Sequence, residues 1–314
     1  MMGVEFFRQA VAFQQKYGKA GTTIANSFQT NATLIDDEMA RLFSQYHFLL
    51  GCSLDGPAAV HNRFRRTRAG QPTHGRVIKG LSLLNKHKVD YNILTLVTQA
   101  NVQKAKSVYR YLIERGVLFQ QYIPCVEFDE TGAPTPFSIS GKEWGIFLSE
   151  LFDEWISDSP KTISIRNFES VLAKLVDNVN SVCTMGTKCD QYFVVEYNGD
   201  VYPCDFFVEN RWKLGNIMEN SWQKIIESPV YLQFGSQKNQ WHEQCGSCTY
   251  RSLCSGDCLK YRVDSEQDPR TLSWLCEGWK AFYDHTLVRF RHLADEIRQI
   301  RIDMAQNSRP IKLP

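Results

Sequence analysis

Eight of the ten cysteines fall between Cys183 and Cys276. They run Cys183-x5-Cys189-x14-Cys204, then forty residues, then Cys245-x2-Cys248-x5-Cys254-x3-Cys258-x17-Cys276. Tetrahedral zinc and cubane iron–sulfur clusters each take four thiolates, so the number allows two centres of either kind. The spacing separates the metals. A pair of zinc ribbons needs two C-x2-C knuckles, and only Cys245 and Cys248 make one. Cys245, Cys248 and Cys254, followed by Cys258 three residues on, have instead the rhythm of two-cluster ferredoxins, in which the fourth thiolate crosses to the other cluster. On that logic Cys258 serves one centre and Cys276 completes the other. Cys52 and Cys125 sit singly in apolar segments and read as core thiols.

The elements that must position these residues follow from hydrophobic periodicity. A helix is expected over 4–17, with Phe6, Phe7, Ala10, Val11 and Phe13 on one face. Apolar runs at 22–28, 48–54, 91–98 and 118–124 read as strands buried on both faces by crossover helices. The intervening helices are capped by Asp36, Thr73 and Asn101, the last of them closing at Gly116. A parallel sheet or barrel follows, and ligands of such folds sit at the carboxyl ends of the strands: Asn31, the 53–57 turn and the 124–127 segment. Ser140 and Glu143 form a capping box for an amphipathic helix bearing Trp144, Phe147, Leu151 and Trp155. A helix over 168–177 leads into the cysteine stretch, where Asn198 and Gly199 mark a tight hairpin. A long helix is expected over 274–300, then a polar tail from Gln306.

Composition narrows the classes. The 314 residues are 43% apolar and 22% charged, which is ordinary globular usage and excludes disorder as the main state. A net charge of +2 gives no field for nucleic acid or an anionic membrane. No stretch of apolar residues is long enough to span a bilayer and the start lacks a signal-peptide pattern, so the expectation is a soluble cytoplasmic protein with neither nucleic-acid nor membrane partner.

With these motifs in view, the chain resembles the anaerobic sulfatase-maturating enzymes, radical S-adenosylmethionine proteins with a C-terminal SPASM domain. The resemblance rests on the order of all eight cysteines and on Gln29-Thr30-Asn31, Ser53-Leu54-Asp55-Gly56-Pro57, His61-Asn62-Arg63-Phe64-Arg65, Tyr202-Pro203-Cys204-Asp205-Phe206 and Lys213-Leu214-Gly215-Asn216-Ile217. It implies an α/β fold: an incomplete (β/α)6 partial TIM barrel, then a cysteine-rich SPASM domain with a β-hairpin and a C-terminal helix. The implied divisions are a barrel remnant over 1–135, a helical connection over 136–182, the SPASM domain over 183–276, and the helix and tail over 277–314. It further implies two auxiliary 4Fe-4S clusters, one on Cys183, Cys189, Cys204 and Cys258, the other on Cys245, Cys248, Cys254 and Cys276. The implied substrate is a sulfatase polypeptide whose cysteine or serine becomes formylglycine, with an electron donor such as a flavodoxin or ferredoxin. In that reaction a 5′-deoxyadenosyl radical removes hydrogen from the β-carbon, the clusters take an electron and Asp205 takes a proton. Ser53 and Arg65 resemble the contacts to the methionine end of S-adenosylmethionine, and Asp55 either joins them or fixes its turn. Arg63, Arg66 and Arg68 read as surface charge, and His61 is given no chemistry.

One part of the family pattern is absent from these 314 residues: the C-x3-C-x2-C motif of the cluster that cleaves S-adenosylmethionine, together with the Gly-Gly-Glu-Pro turn. Cys52 and Cys125 are too far apart to replace it. The expectation is a barrel without its first two strands, an apolar sheet edge that needs covering, and no cleavage of S-adenosylmethionine by this chain. Two alternatives stand beside the maturase: an iron–sulfur electron-transfer or peptide-binding module without catalysis, and a zinc-stabilised scaffold.

Overall fold

Apolar runs that recur between amphipathic helices pair side by side as parallel strands, and a computed structural model, describing residues 2–158, 162–262 and 268–307, shows them doing so. The strands β1 (Ser27–Thr30), β2 (Leu49–Ser53), β3 (Tyr91–Val97), β4 (Phe119–Pro124) and β5 (Ser164–Ile165) form one parallel sheet in chain order. Helices α1 (Val4–Tyr17), α2 (Asp37–Gln45), α3 (Ala58–Phe64), α4 (His74–Lys86), α5 (Ala105–Ile113) and α6 (Gly141–Asp158) alternate with them. Chain contacts divide the protein into two units, the first comprising Met1–Glu127, Pro136–Ile139 and Glu150–Asn167. In this unit Phe7 of α1 meets the rings of Phe28, Phe43 and Phe48.

Several expectations need correction. The first strand starts at Ser27 rather than residue 22 and alternates half-buried with exposed, because it lies at the sheet's edge. The fourth also alternates over much of its length, while only β2 and β3 carry runs of three buried residues. The fifth strand, β5, is two residues long and too short to show a period. Asp36 caps α2 as expected, accepting from the Met39 amide at 2.8 Å. Thr73 does not cap α4 with its side chain; its hydroxyl donates to the Arg65 carbonyl at 2.8 Å. Asn101 does not cap α5, which starts after Lys104; it accepts from Thr98 N at 2.7 Å and donates to Asp55 O at 3.1 Å. Gly116 does adopt the left-handed conformation, three residues past the end of α5.

The second unit comprises Phe128–Thr135, Ser140–Ser149 and Phe168–Pro314. The Ser140–Glu143 capping box forms at the start of α6, with the Ser140 amide donating to Glu143 Oε2 at 2.8 Å and the Glu143 amide to Ser140 Oγ at 3.2 Å. After α7 (Arg166–Asp177) the elements become short: β6 (Val194–Val195), β7 (Asp200–Tyr202) and β8 (Gly215–Asn216) make an antiparallel sheet, with Gly199 at φ 87° in the expected hairpin. β8 pairs with β7, and the Asn216 side chain adds bonds to Asn198 O and Asp200 Oδ1 at 3.1 and 2.9 Å. Then come α8 (Trp222–Ile226), α9 (Pro229–Gln237), α10 (Glu243–Gly246), α11 (Arg251–Cys254) and the long α12 (Cys276–Asn307). The expected tail lies almost wholly outside the described residues. Among the described residues no helix is long and apolar enough to cross a membrane.

Candidate metal centres and ligand contacts

All ten cysteines are free thiols, but their surroundings differ. Cys52, in β2, and Cys125, just past β4, are buried in the first unit's core, as expected of packing residues. The other eight are half-buried. Two cavities in the second unit account for all eight. One, of about 20 Å³, is lined by Cys245, Cys248, Cys254 and Cys276 among others. The other, of about 80 Å³, is lined by Cys183, Cys189, Cys204 and Cys258 among others.

Short local elements make this interleaving possible. Cys183 opens a 3-10 turn, Cys204 follows β7, Cys245 lies in α10, Cys254 ends α11 and Cys276 begins α12. Between Cys254 and Cys258 the chain passes from one cavity to the other through Ser255, Gly256 and Asp257, with φ values of 49°, 72° and 64°. Three successive left-handed residues reverse the chain within the span of the motif. Trp212, Phe234 and Leu259 form a small core against which Cys189 and Cys204 pack.

Electrostatics repeat the partition. Burial raises the thiols of Cys189, Cys245 and Cys276, pushes Cys204 up to about 12 and takes Cys254 and Cys258 higher still. The thiol-to-thiol influences that add to this stay within the quartets: Cys183 acts on Cys189 and Cys258, Cys189 on Cys204, and Cys245 and Cys276 on Cys254. Burial alone also pushes the core thiol Cys52 up to about 12, so what sets these eight apart is their grouping and not the shift; a metal bound there would remove their protons. Among the described residues no three His, Cys, Asp or Glu side chains are placed to hold a single ion. Each quartet lines one cavity, and four thiolates are the donor set of a cubane cluster.

Asp205 is exposed beside the quartet of Cys183, Cys189, Cys204 and Cys258, with Cys204 Sγ donating to its Oδ1 at 3.5 Å. Ligation of Cys204 would remove that donor and leave the carboxylate free to accept. In the first unit Ser53 ends β2 half-buried, with no hydrogen-bond partner for its hydroxyl among the described residues. Asp55 is buried and holds Arg65 in a forked pair, Nε to Oδ2 at 2.5 Å and a terminal nitrogen to Oδ1 at 3.1 Å. The Leu96 amide also donates to Asp55 Oδ1, at 3.0 Å. Asp55 therefore orients Arg65 as well as its own turn. The guanidinium has N–H groups left over, because an arginine carries five and the fork uses two. Arg63, Arg66 and Arg68 are exposed, as expected. His61, in contrast, is buried, accepting from the Asp55 amide at 3.3 Å and bonded through Nε2 to Thr73 Oγ1 at 3.2 Å. Its sequence neighbourhood carries no signal of that role beyond its place six residues after Asp55.

The family model for an iron–sulfur cluster-binding domain, SPASM, matches residues 183–249. Over 302 residues the chain is 34% identical to a cysteine-type anaerobic sulfatase-maturating enzyme of Clostridium perfringens, spanning 95% of this chain and 81% of that one. It is likewise 34% identical to a serine-type enzyme of Bacteroides thetaiotaomicron, over 91% of this chain and 73% of the other. Among solved structures, native anSMEcpe with bound AdoMet and Cp18Cys peptide superposes with a TM-score of 0.89 at 34% identity, over 94% of this chain and 82% of that one. Streptococcus suis SuiB, at 15% identity and TM-score 0.60, shares the fold over 87% of this chain and 64% of its own. The chain belongs to the anaerobic sulfatase-maturating enzymes, within the radical S-adenosylmethionine proteins that carry a SPASM domain.

Proposed function

We propose that this chain carries the substrate-oxidising apparatus of a formylglycine-generating maturase, acting on a cysteine or serine of a sulfatase polypeptide. The observation that carries the reading is the pair of cavities, each lined by four cysteines in interleaved order. Cys183, Cys189, Cys204 and Cys258 would hold one 4Fe-4S cluster, and Cys245, Cys248, Cys254 and Cys276 the other. When bound, the clusters supply an acceptor for one electron and S-adenosylmethionine supplies the means of removing hydrogen from carbon. The chain's own residues do the rest. Asp205 takes the substrate proton, its exposure leaving it within reach of a polypeptide and its place next to Cys204 setting the proton acceptor beside the electron acceptor. Ser53 and the free edge of Arg65 hold the carboxylate end of S-adenosylmethionine, while Asp55 fixes the guanidinium in place.

These 314 residues contain no C-x3-C-x2-C motif, which favours a second reading for a polypeptide of this sequence alone: an iron–sulfur electron-transfer and peptide-binding module. Anaerobic reconstitution with iron and sulfide distinguishes the two. Cluster uptake and peptide binding without 5′-deoxyadenosine fit the second, whereas appreciable 5′-deoxyadenosine with formylglycine in the peptide overturns it. Fusing the N-terminal segment of the Clostridium perfringens relative onto the chain tests the first. The fusion is expected to make formylglycine, and Asp205→Asn to lower its kcat by about 100-fold or more. Unchanged kcat in Asp205→Asn removes the carboxylate from the mechanism.

A further inference from the structure

Among the described residues, Lys238 and Arg262 are the only buried lysine and arginine, and both lie where the two cysteine quartets interleave. Lys238, just past α9, is 0% exposed and donates to the carbonyls of Thr184 at 3.0 Å, Ser255 at 3.3 Å and Asp257. Three acceptors use the three donors of an ammonium; a neutral amine would leave one unserved. Arg262 donates from Nε to Gly256 O at 2.9 Å, and from its terminal nitrogens to the carbonyls of Gln240, Pro269, Lys238, Ser255 and Asp257 at 2.8–3.3 Å. The left-handed loop of Ser255, Gly256 and Asp257 thus turns all three of its carbonyls onto the two cations. Lys238 lines the cavity of Cys183, Cys189, Cys204 and Cys258, and Arg262 that of Cys245, Cys248, Cys254 and Cys276.

Carbonyl dipoles solvate a cation without neutralising it. Neither Lys238 nor Arg262 has an ion-pair partner among the described residues, and the one carboxylate buried beside them, Asp257, accepts from the Ser273 hydroxyl at 2.7 Å. Two cations against one carboxylate is an expensive arrangement for a protein interior unless an anion completes it. We propose that Lys238 and Arg262 are the built-in counter-charges of the two iron–sulfur sites, a cationic partition that raises the reduction potential of both. The inference rests on the reading that each quartet holds a 4Fe-4S cluster. Four thiolates leave such a cluster with net negative charge that grows by one when it accepts an electron, so a fixed cation beside it favours the reduced form. Lys238 acts mainly on the first quartet and Arg262 on the second, following the cavities they line. Both are positioning residues that set the driving force for removing the substrate's electron.

The test is a potentiometric titration of the anaerobically reconstituted chain, followed by electron paramagnetic resonance, on the wild type, Lys238→Gln, Arg262→Gln and Arg262→Lys. Iron and acid-labile sulfide are measured on each. At full iron content Lys238→Gln is expected to lower the reduced-to-oxidised ratio of one centre about tenfold at fixed ambient potential, about 59 mV for a one-electron couple, and Arg262→Gln that of the other. Arg262→Lys keeps the charge with fewer donors, so it should lose thermal stability yet hold its ratio within about twofold. Unchanged ratios in Lys238→Gln and Arg262→Gln at full iron overturn the inference. A fall in Arg262→Lys as large as tenfold also overturns it for Arg262 and carries the test should Arg262→Gln not fold; Lys238→Met plays that part for Lys238→Gln. A wild type without iron overturns the cluster reading instead.

Discussion

His61 shows how one buried side chain couples pH to the proposed S-adenosylmethionine contacts. The Asp55 amide donates to its Nδ1, which places the ring proton on Nε2 facing Thr73, and Thr73 in turn donates to the Arg65 carbonyl. One imidazole therefore braces both ends of the Asp55–Arg65 pair. Burial, with smaller contributions from Arg65 and His74, lowers its pKa from 6.5 to about 4. The unfolded chain then takes up the proton first, so the stability His61 contributes is present above pH 6.5 and is lost as pH falls from there to about 4. The urea midpoint of the wild type is expected to drop between about pH 7 and about pH 4.5 by more than that of His61→Gln. Equal drops would remove His61 from the account. The grouping of eight cysteines was legible at this scale because thiol spacing is itself a chemical pattern, and their division into quartets is what the family resemblance implies. His61, Lys238 and Arg262 were not, since each is an ordinary surface type until distant segments close over it.

At the scale of elements, the placement of Cys276 depends on how two helices meet. In the second unit the start of α12, which carries Cys276, crosses the start of α6 backbone to backbone. A Cβ added at Gly278 would lie 2.9 Å from Gly145 N and closer still to the Gly141 carbonyl, and one at Gly145 would lie 2.7 Å from Gly278 O. Gly278→Ala must therefore part the helices and tilt the turn that aims Cys276. It is expected to destabilise the unit by about 1–3 kcal/mol and to reduce iron content, whereas Gly246→Ala, with open space at its Cβ and next to Cys245, should do neither. Equal iron in both variants would sink the argument. Here the sequence was a partial guide. Capping by Asp36 and by Ser140 with Glu143 is local chemistry and could be read directly, as could the Gly199 hairpin. β5 and β8, two residues each, exist only because a neighbouring strand pairs with them, and the glycine crossing needs two segments more than a hundred residues apart.

The whole molecule joins two units stabilised by different means. The first has a five-stranded parallel sheet and the cluster of Phe7, Phe28, Phe43 and Phe48, an apolar core that owes nothing to metal. In the second, the stretch between Cys183 and Cys276 is built from strands of two or three residues and helices of four to nine, around the small core of Trp212, Phe234 and Leu259. So little regular structure offsets little of the entropy of ordering the chain, and on the proposed reading eight thiolates bonded to metal would be its principal cross-links. Iron removal by a chelator under mild oxidation should then act on one unit. In calorimetry the transition of the second unit is expected to fall by about 10 °C or more, the shift that a loss of about 4 kcal/mol produces in a unit of this size, while that of the first moves little. Limited proteolysis assigns the transitions. Cleavage should appear within 183–276 after chelation and remain absent from the strands between Ser27 and Pro124. Loss of protection in both at once would mean that the parallel sheet, too, relies on the clusters, and one transition would replace two. Retention of both would mean that the thiols pack without metal, and the eight cysteines would then be core residues of the second unit rather than sites built for iron.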